Sequence, residues 1–203
     1  MKFFDKSKIE KEIRELPSGI LKTLSDAAVS INILSIAIVG GVVRDLVTKS
    51  KNKDYEIIFN DLDLVIEGDT SKFVKELQNI FGTERLKVIR NNEDYKTSEI
   101  KINGIKIDIA SAREEKYPTP GENPIVNLST IRNDLIRRDF NINAMAIELK
   151  ENKVIDLFSG LDAIDNMKMD FLHESSVLED PTRIIRASRY SAKLDFDLSD
   201  QAL

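Results

Sequence analysis

The chain has 203 residues, 41% of them hydrophobic and 32% charged, with a formal net charge of −5. It is long enough to bury the core of one or two domains, and its acidic average argues against a protein that coats nucleic acid with its whole surface. Cysteine is absent and His173 is the only histidine, which excludes disulfides, thiolate zinc sites and multi-histidine centres and leaves hard, oxygen-bound ions of the magnesium type as the metals to consider.

In chain order, the charged start "MKFFDKSKIEKEIREL" lacks the apolar stretch of a signal peptide. No apolar run is long enough to span a membrane, so a soluble, cytoplasmic protein without a membrane partner is expected. Residues 6–30 read as an amphipathic helix pair broken at Pro17-Ser18-Gly19. "SIAIVGG" (35–41) is a short apolar strand running into a glycine pair, and "VVRDLVTKS" after it has helical character. Residues 49–60 read as a connector. "DLDLVIE" (61–67) alternates, which puts Asp61, Asp63 and Val65 on one strand face and Leu62, Leu64 and Ile66 on the other. A helix follows over 70–80, with Asp69 or Thr70 as cap.

"TSEIKINGIKIDIA" (97–110) predicts a hairpin turning on Asn103-Gly104, with Ile102 paired to Ile105 and Ile100 to Ile107. Asp108 then points away from the face of Ile105, Ile107 and Ile109. "YPTPGENP" (117–124) is a loop by its proline and glycine content, followed by a helical stretch over 129–137. A second hairpin runs through "KENK" to "VIDLF", and from about 159 the pattern turns helical. These elements make an α+β domain over 1–157, then a helical region over 158–203 that is cut short.

Three strand acids, Asp61, Asp63 and Asp108, converge on one face if their strands are neighbours in register. Like charges so placed repel and raise one another's pKa, and a divalent cation removes that penalty. A solvated turn at Asn60-Asp61 is the plainer reading of the first pair. Gly40-Gly41 at a strand end lets backbone amides approach a phosphate, with Arg44 on the first helical turn adding charge. The alternative there is a tight turn with Arg44 paired to Asp45. Asp180-Pro181 is a helix start, with Asp as cap and Pro at the first helical position. Arg183, Arg186 and Arg189 then recur every third residue and drift by only about 120° in all, so they share one broad face and leave Ile184, Ile185, Ala187 and Ala192 for packing. Planar guanidiniums in that arrangement suit a polyphosphate or a base edge. Arg137, Arg138 and Asp139 form a second cluster.

In order, "VGGVVRDL", "DLDLVIEGD", "IKIDIASAR", "RRDFNINAMAI", "VIDLFSGLDAI" and "EDPTRIIRASRY" resemble the class II tRNA nucleotidyltransferase and bacterial poly(A) polymerase family, within the DNA polymerase beta-type nucleotidyltransferase superfamily. The match runs from about 35 to 196. The resemblance implies an α+β DNA polymerase beta-like head, a small mixed sheet flanked by helices, followed by the start of an all-helical neck. It makes Asp61 and Asp63 the metal-binding carboxylates for magnesium, two ions in all, and Asp108 a third catalytic carboxylate. Gly41, Arg44, Arg138, Asp139, Arg186 and Arg189 become nucleotide contacts. Asp180 and Arg183 become the amino-acid template that reads the Watson–Crick edge of the incoming base.

The implied reaction is attack of an RNA 3′-hydroxyl on the α-phosphate of ATP or CTP, with the tRNA 3′ end as acceptor. A poly(A) polymerase and a non-catalytic nucleotide-binding module are the alternatives. By the same resemblance a flexible loop that sets base choice falls around 85–98, and "KNKDYEIIF" is a surface insertion. The domains that grip RNA lie beyond this stretch of sequence.

Overall fold

The computed structural model describes residues 18–57 and 61–199. The first helix, α1 (Ser18–Ser30), is the second half of the expected helical pair, and the first half lies outside the described residues, as does Asn60. Then come β1 (Ile36–Val39), α2 (Gly41–Lys51), β2 (Asp61–Ile66) and α3 (Thr70–Arg85). Asp69 caps α3 by accepting from Lys72 N at 2.9 Å. Next are β3 (Leu86–Asn92), β4 (Thr97–Ile102), β5 (Ile105–Ser111), β6 (Arg113–Lys116) and β7 (Ile125–Leu128). The remainder is α4 (Ile131–Ile136), β8 (Met145–Glu148), β9 (Lys153–Asp156), α5 (Gly160–Asp165), β10 (Lys168–Met169), α6 (Ser176–Glu179), α7 (Thr182–Leu194) and β11 (Asp197–Leu198).

Seven strands form one mixed sheet in the order β3-β4-β5-β2-β1-β8-β9. Only β2 and β5 pair in parallel within it. The Asn103-Gly104 hairpin has the expected register, and both turn residues take the positive φ that such a turn requires (50° and 91°). Residues 85–98 correct the expectation of a flexible loop. They form β3, a short turn and the start of β4, because Leu86 and Val88 find Ile102 and Ile100 opposite them. The charged "REEK" conceals a further hairpin: β6 pairs with β7 and carries the 117–124 loop at its tip.

Strand alternation sorts the core onto two faces. Ile36, Ile38, Leu64, Ile66, Ile107 and Ile109 pack with Leu24, Phe73 and Leu77 under α1 and α3. On the other face Ala37, Val39 and Val65 are covered by Ile131 and Leu135 of α4. That cover is short, so the stretch of sheet bearing Asp61, Asp63 and Asp108 stays open.

Beyond residue 158 the helices also carry a two-residue parallel strand pair, β10 with β11, and Met169, Ala187 and Phe196 join the main core. Helix α7 is rotated from the expected setting. Ile184 and Ile185 are 54% and 73% exposed, whereas Arg183 is buried. Polar partners on the concave side, Asp139 and the Arg137 carbonyl among them, hold the arginines inward. The stretch read as a surface insertion reaches back to the fold as well, since Tyr55 OH donates to Asp45 Oδ1 at 3.2 Å.

Gly160, in "FSGLDAI", is fixed by space. A Cβ there would stand 2.6 Å from the Asn141 carbonyl oxygen and 2.8 Å from Met145 Cγ, whereas one at Gly19 would meet nothing within 4 Å. Gly160→Ala is expected to lower stability by about 1–3 kcal/mol, the usual range for overpacking. Gly19→Ala is expected to be neutral or stabilising, as a helical Gly→Ala exchange without a clash is. Urea unfolding of the two variants checks the contrast.

Candidate active site

The open face of the sheet is a row of charge. Parallel pairing sets Asp63 directly opposite Asp108, and Asp61 opposite Lys106. Antiparallel pairing continues the row, with Glu99 opposite Asp108 and Arg90 opposite Glu99. Lys106 Nζ answers part of the negative charge, at 3.1 Å from Asp108 Oδ2 and 3.5 Å from Glu99 Oε1. Among the described residues Asp63 has no such partner. Burial, and then the charge of Asp61, push its carboxyl up from 3.8 to about 6 against the opposing pull of Arg138.

Gly40 makes the approach to Asp63 possible. It takes φ 73° at the end of β1, and a Cβ there would stand 3.2 Å from Asp63 Oδ2 and 3.5 Å from Arg138 Nη1. Arg138 is held from behind by Asp134, a fully buried acid of α4. Asp134 Oδ2 accepts from Arg138 Nη2 at 3.0 Å, and its Oδ1 takes Arg137 Nη2 at 2.7 Å. Burial alone would raise Asp134, but the two guanidiniums prevail and hold it below the ordinary carboxylate range. Arg138 Nε is buried without a hydrogen-bond partner among the described residues. Arg137 also meets Glu115 Oε1 at 3.1 Å, and Glu115 in turn receives Arg113 and the Tyr117 hydroxyl.

Two cavities meet at this point, sharing Asp63 and Arg138. The larger, about 440 Å³, is lined by Gly40 and Gly41, by Asp139 and Asn143, and by Asp180, Arg183, Arg186 and Tyr190 of the helical segment. Tyr117 and Pro124 close its other side. The smaller, about 330 Å³, lies over the sheet against Asp108, Glu99, Ser98, Thr97 and Arg90.

Of the sequence-derived site residues, Asp63, Gly41, Arg138, Asp139, Asp180, Arg183 and Arg186 line the larger cavity, and Asp108 the smaller. Asp61 sits at the exposed end of β2 on the same face. Asp180 accepts from Thr182 N at 3.0 Å just ahead of α7, but the cap position falls on Pro181, one residue later than expected. Arg183 donates to Ser176 Oγ and to the Arg137 carbonyl at 2.9 Å, with its Nε 4.0 Å from Asp180 Oδ2. Arg186 pairs with Asp139 at 2.6 Å.

Arg44 and Arg189 line neither cavity. The buried Arg44 guanidinium pairs with Asp45 at 2.7 Å and donates to Asn143 Oδ1 at 2.8 Å, while Arg189 is exposed beside Tyr190. Asn143, Asp134, Glu115, Tyr117, Glu99 and Tyr190 went unsingled in the sequence. Their only signal is proximity in the chain to acids and arginines that were.

The donors present fit a hard divalent cation, being carboxylate oxygens whose mutual repulsion is already expressed at Asp63. Among the described residues no three acidic or histidine side chains group closely enough for a complete protein cage. Magnesium is commonly held by one or two carboxylates, with water and substrate phosphate completing its shell.

The raised Asp63 pKa carries a stability penalty with a definite sign. Between about pH 4 and pH 6 the folded state holds a proton that the unfolded state has released, so stability falls through that window and the penalty is complete above it. In metal-free buffer, Asp63→Asn is therefore expected to stabilise by about 1–3 kcal/mol at pH 7.5 and by little at pH 4, read from chemical denaturation at the two pH values.

Comparison with known proteins places this geometry in a family. Residues 36–170, well over half of the chain, match the Poly A polymerase head domain. The A-adding tRNA nucleotidyltransferase of Aquifex aeolicus is 39% identical over 80% of this chain and 19% of its own length. The CC-adding tRNA nucleotidyltransferase of Deinococcus radiodurans is 32% identical over 83% of this chain and 43% of its own. The Thermotoga maritima CCA-adding enzyme, solved in complex with tRNA, superposes with a TM-score of 0.77 at 31% identity, over 98% of this chain and 44% of that one. The chain thus spans less than half the length of each of these proteins. With its motifs, its mixed sheet and its paired strand acids, it belongs to the family of the Poly A polymerase head domain, that of the class II tRNA nucleotidyltransferases and bacterial poly(A) polymerases.

Proposed function

We propose that the chain is the catalytic head (1–157) and helical neck (158–203) of a template-independent RNA nucleotidyltransferase that adds C, A or both to the tRNA 3′ end. The observation that carries this reading is the single cavity joining Asp63 and Arg138 to Asp180, Arg183 and Arg186. One end of it is suited to phosphate chemistry and the other to the edge of a base. The A-adding, CC-adding and CCA-adding relatives support the same conclusion.

In this mechanism Asp61 and Asp63 would hold magnesium, two ions in all, which when bound would supply charge at the reacting phosphate and favour deprotonation of the attacking hydroxyl. Gly41, at the start of α2, presents backbone amide to the triphosphate, and Arg138 donates to it from the cavity wall. Asp139, fixed by Arg186 and Asn143, contacts the ribose. Asp180 accepts from and Arg183 donates to the base edge, a pair that selects C or A without a nucleic-acid template. Arg44 backs the glycine turn. The RNA 3′-oxygen bonds to the α-phosphorus, the bond to the β-phosphate oxygen breaks and pyrophosphate leaves. The hydroxyl proton passes to Asp108, which Lys106 holds in place. No described helix is long and apolar enough to cross a membrane.

Incubation of the chain with tRNA ending before CCA, in C or in CC, with CTP and ATP supplied separately, is expected to give incorporation that requires magnesium. The incorporation pattern separates CC-, A- and CCA-addition. Long A tails on generic RNA would favour poly(A) synthesis, and nucleotide binding without incorporation would favour a non-catalytic module. Asp61→Ala with Asp63→Ala is expected to reduce incorporation by on the order of a thousandfold, since it removes the charge at the reacting phosphate. Incorporation that survives the double change would refute the metal assignment. Asp180→Ala is expected to relax the choice between CTP and ATP more than it lowers the total rate, by about tenfold in the ratio, as loss of one base-edge hydrogen bond does.

A further inference from the structure

Tyr190 is the member of the larger cavity's wall that gathers the most charge around itself. Three guanidiniums lie over its ring: Arg189 at 5.1 Å, Arg44 at 5.3 Å and Arg186 at 5.5 Å from the centroid. Its hydroxyl accepts from Arg186 Nη2 at 3.2 Å and from Arg189 Nη2 at 3.4 Å. The ring is anchored from beneath, edge-on to the buried Phe140 at 5.7 Å, and Phe140 in turn lies 4.9 Å from Phe171.

Three like charges so close together repel. Asp45 compensates Arg44 and Asp139 compensates Arg186, but Arg189 has no carboxylate within ion-pair distance among the described residues. An aromatic face attracts cations through its quadrupole, and a phenol oxygen adds an acceptor. The result is a surplus cation held by Tyr190, itself part of the wall of the cavity that Gly40, Gly41 and Arg138 also line.

We propose that Tyr190 is a positioning residue. Its ring and hydroxyl hold the Arg186 and Arg189 guanidiniums as a seat for the triphosphate of the incoming nucleotide, whose charge neutralises the surplus. The inference rests on the nucleotidyltransferase reading and adds to it the residue that sets its phosphate contacts.

Inorganic tripolyphosphate isolates the seat from base and ribose. Its binding to the 203-residue chain is measured by titration calorimetry for the parent, Tyr190→Phe, Tyr190→Leu, Arg189→Leu and the combinations, with thermal unfolding as a check of folding. Tyr190→Leu is expected to raise the tripolyphosphate Kd about tenfold, and Tyr190→Phe, which keeps the ring, about threefold or less. In the Arg189→Leu background each Tyr190 change is expected to lose the part of its effect that acts through Arg189 and to keep the part that acts through Arg186, so the two changes combine to less than their sum. KM for ATP and CTP should rise with Kd while kcat stays within about twofold, the pattern of lost uniform binding.

The inference is overturned if a folded Tyr190→Leu binds tripolyphosphate like the parent, if the effects are additive with Arg189→Leu, or if only kcat falls. Should Tyr190→Leu not fold, the Tyr190→Phe and Arg189→Leu cycle decides by the same criterion. A parent that binds tripolyphosphate yet adds no nucleotide to RNA removes the enzymatic reading and leaves the anion seat standing. A parent that binds none removes the seat and leaves nucleotide incorporation to judge the enzyme.

Discussion

The parallel pairing of β2 with β5 sets Asp63 against Asp108 on a stretch of sheet face beyond the short cover of α4. Two carboxylates on adjacent strands repel, and Glu99 on β4 extends the row rather than relieving it. Much of the surrounding architecture is a response to that charge. Lys106 takes up Asp108 and Glu99 from within the sheet. Gly40 brings the end of β1 against Oδ2 of Asp63, where a Cβ would crowd that oxygen at 3.2 Å and the positive φ would strain any other residue. Arg138 stands close by, with its Nη1 3.5 Å from where a Cβ on Gly40 would be. In the proposed mechanism the negative charge left over is what a divalent cation would neutralise, so that a stability cost in the metal-free fold would be converted to binding.

The arginines need their own anchorage, because a cluster of guanidiniums facing a cavity is self-repelling. Two acids supply it from positions hidden from solvent. Asp134 takes Arg137 and Arg138 on its two oxygens, and Asp139 takes Arg186 while Asn143 holds its other oxygen. Both acids are nearly or fully buried, which makes the pairs depend on one another: removing one partner would strand a charge in a low-dielectric setting. The Arg186–Asp139 pair also ties α7 to the segment before β8, so Asp180, Arg183 and Arg186 line one cavity with Asp63 and Arg138. The same pull explains why Ile184 and Ile185 are turned to solvent. Ion pairs and the Arg137 carbonyl on the concave side fix the rotation of the helix, and two apolar side chains are exposed as a consequence.

The elements were largely legible because their signals are local. Strict alternation placed Asp61 and Asp63 on one face, and Asn103-Gly104 gave the hairpin register to the residue. Asp180-Pro181 gave the start of α7 to within one residue. Where local signals conflict, the reading failed. "REEK" is too charged to suggest β6, yet its side chains are consumed by Arg137, Tyr117 and one another. Residues 85–98 offered no clean alternation because β3 is an edge strand with a bulge between Val88 and Arg90. Periodicity gave the arginine stripe of α7 but not its facing, since a stripe of arginines and a stripe of isoleucines on one helix are equally good candidates for the inward side until the partners are known.

The sequence by itself determined which residues could carry the chemistry: hard oxygen donors with no cysteine and a single histidine beside them, a glycine pair at a strand end, and an acid–arginine helix start in the order of a known family. Those features depend on residue type and spacing, which the chain states directly. The tertiary structure decided which of them share a cavity, that Arg44 lies beneath the glycine turn instead of in it, and that Asp134, Asn143 and Tyr190 hold the others in place. Such relations depend on contacts between residues far apart in the chain, as with Arg44 and Asn143 or Arg44 and Tyr190. Strand register and helix rotation set those contacts, and both are settled only when the apolar faces and the buried charges have found their partners together.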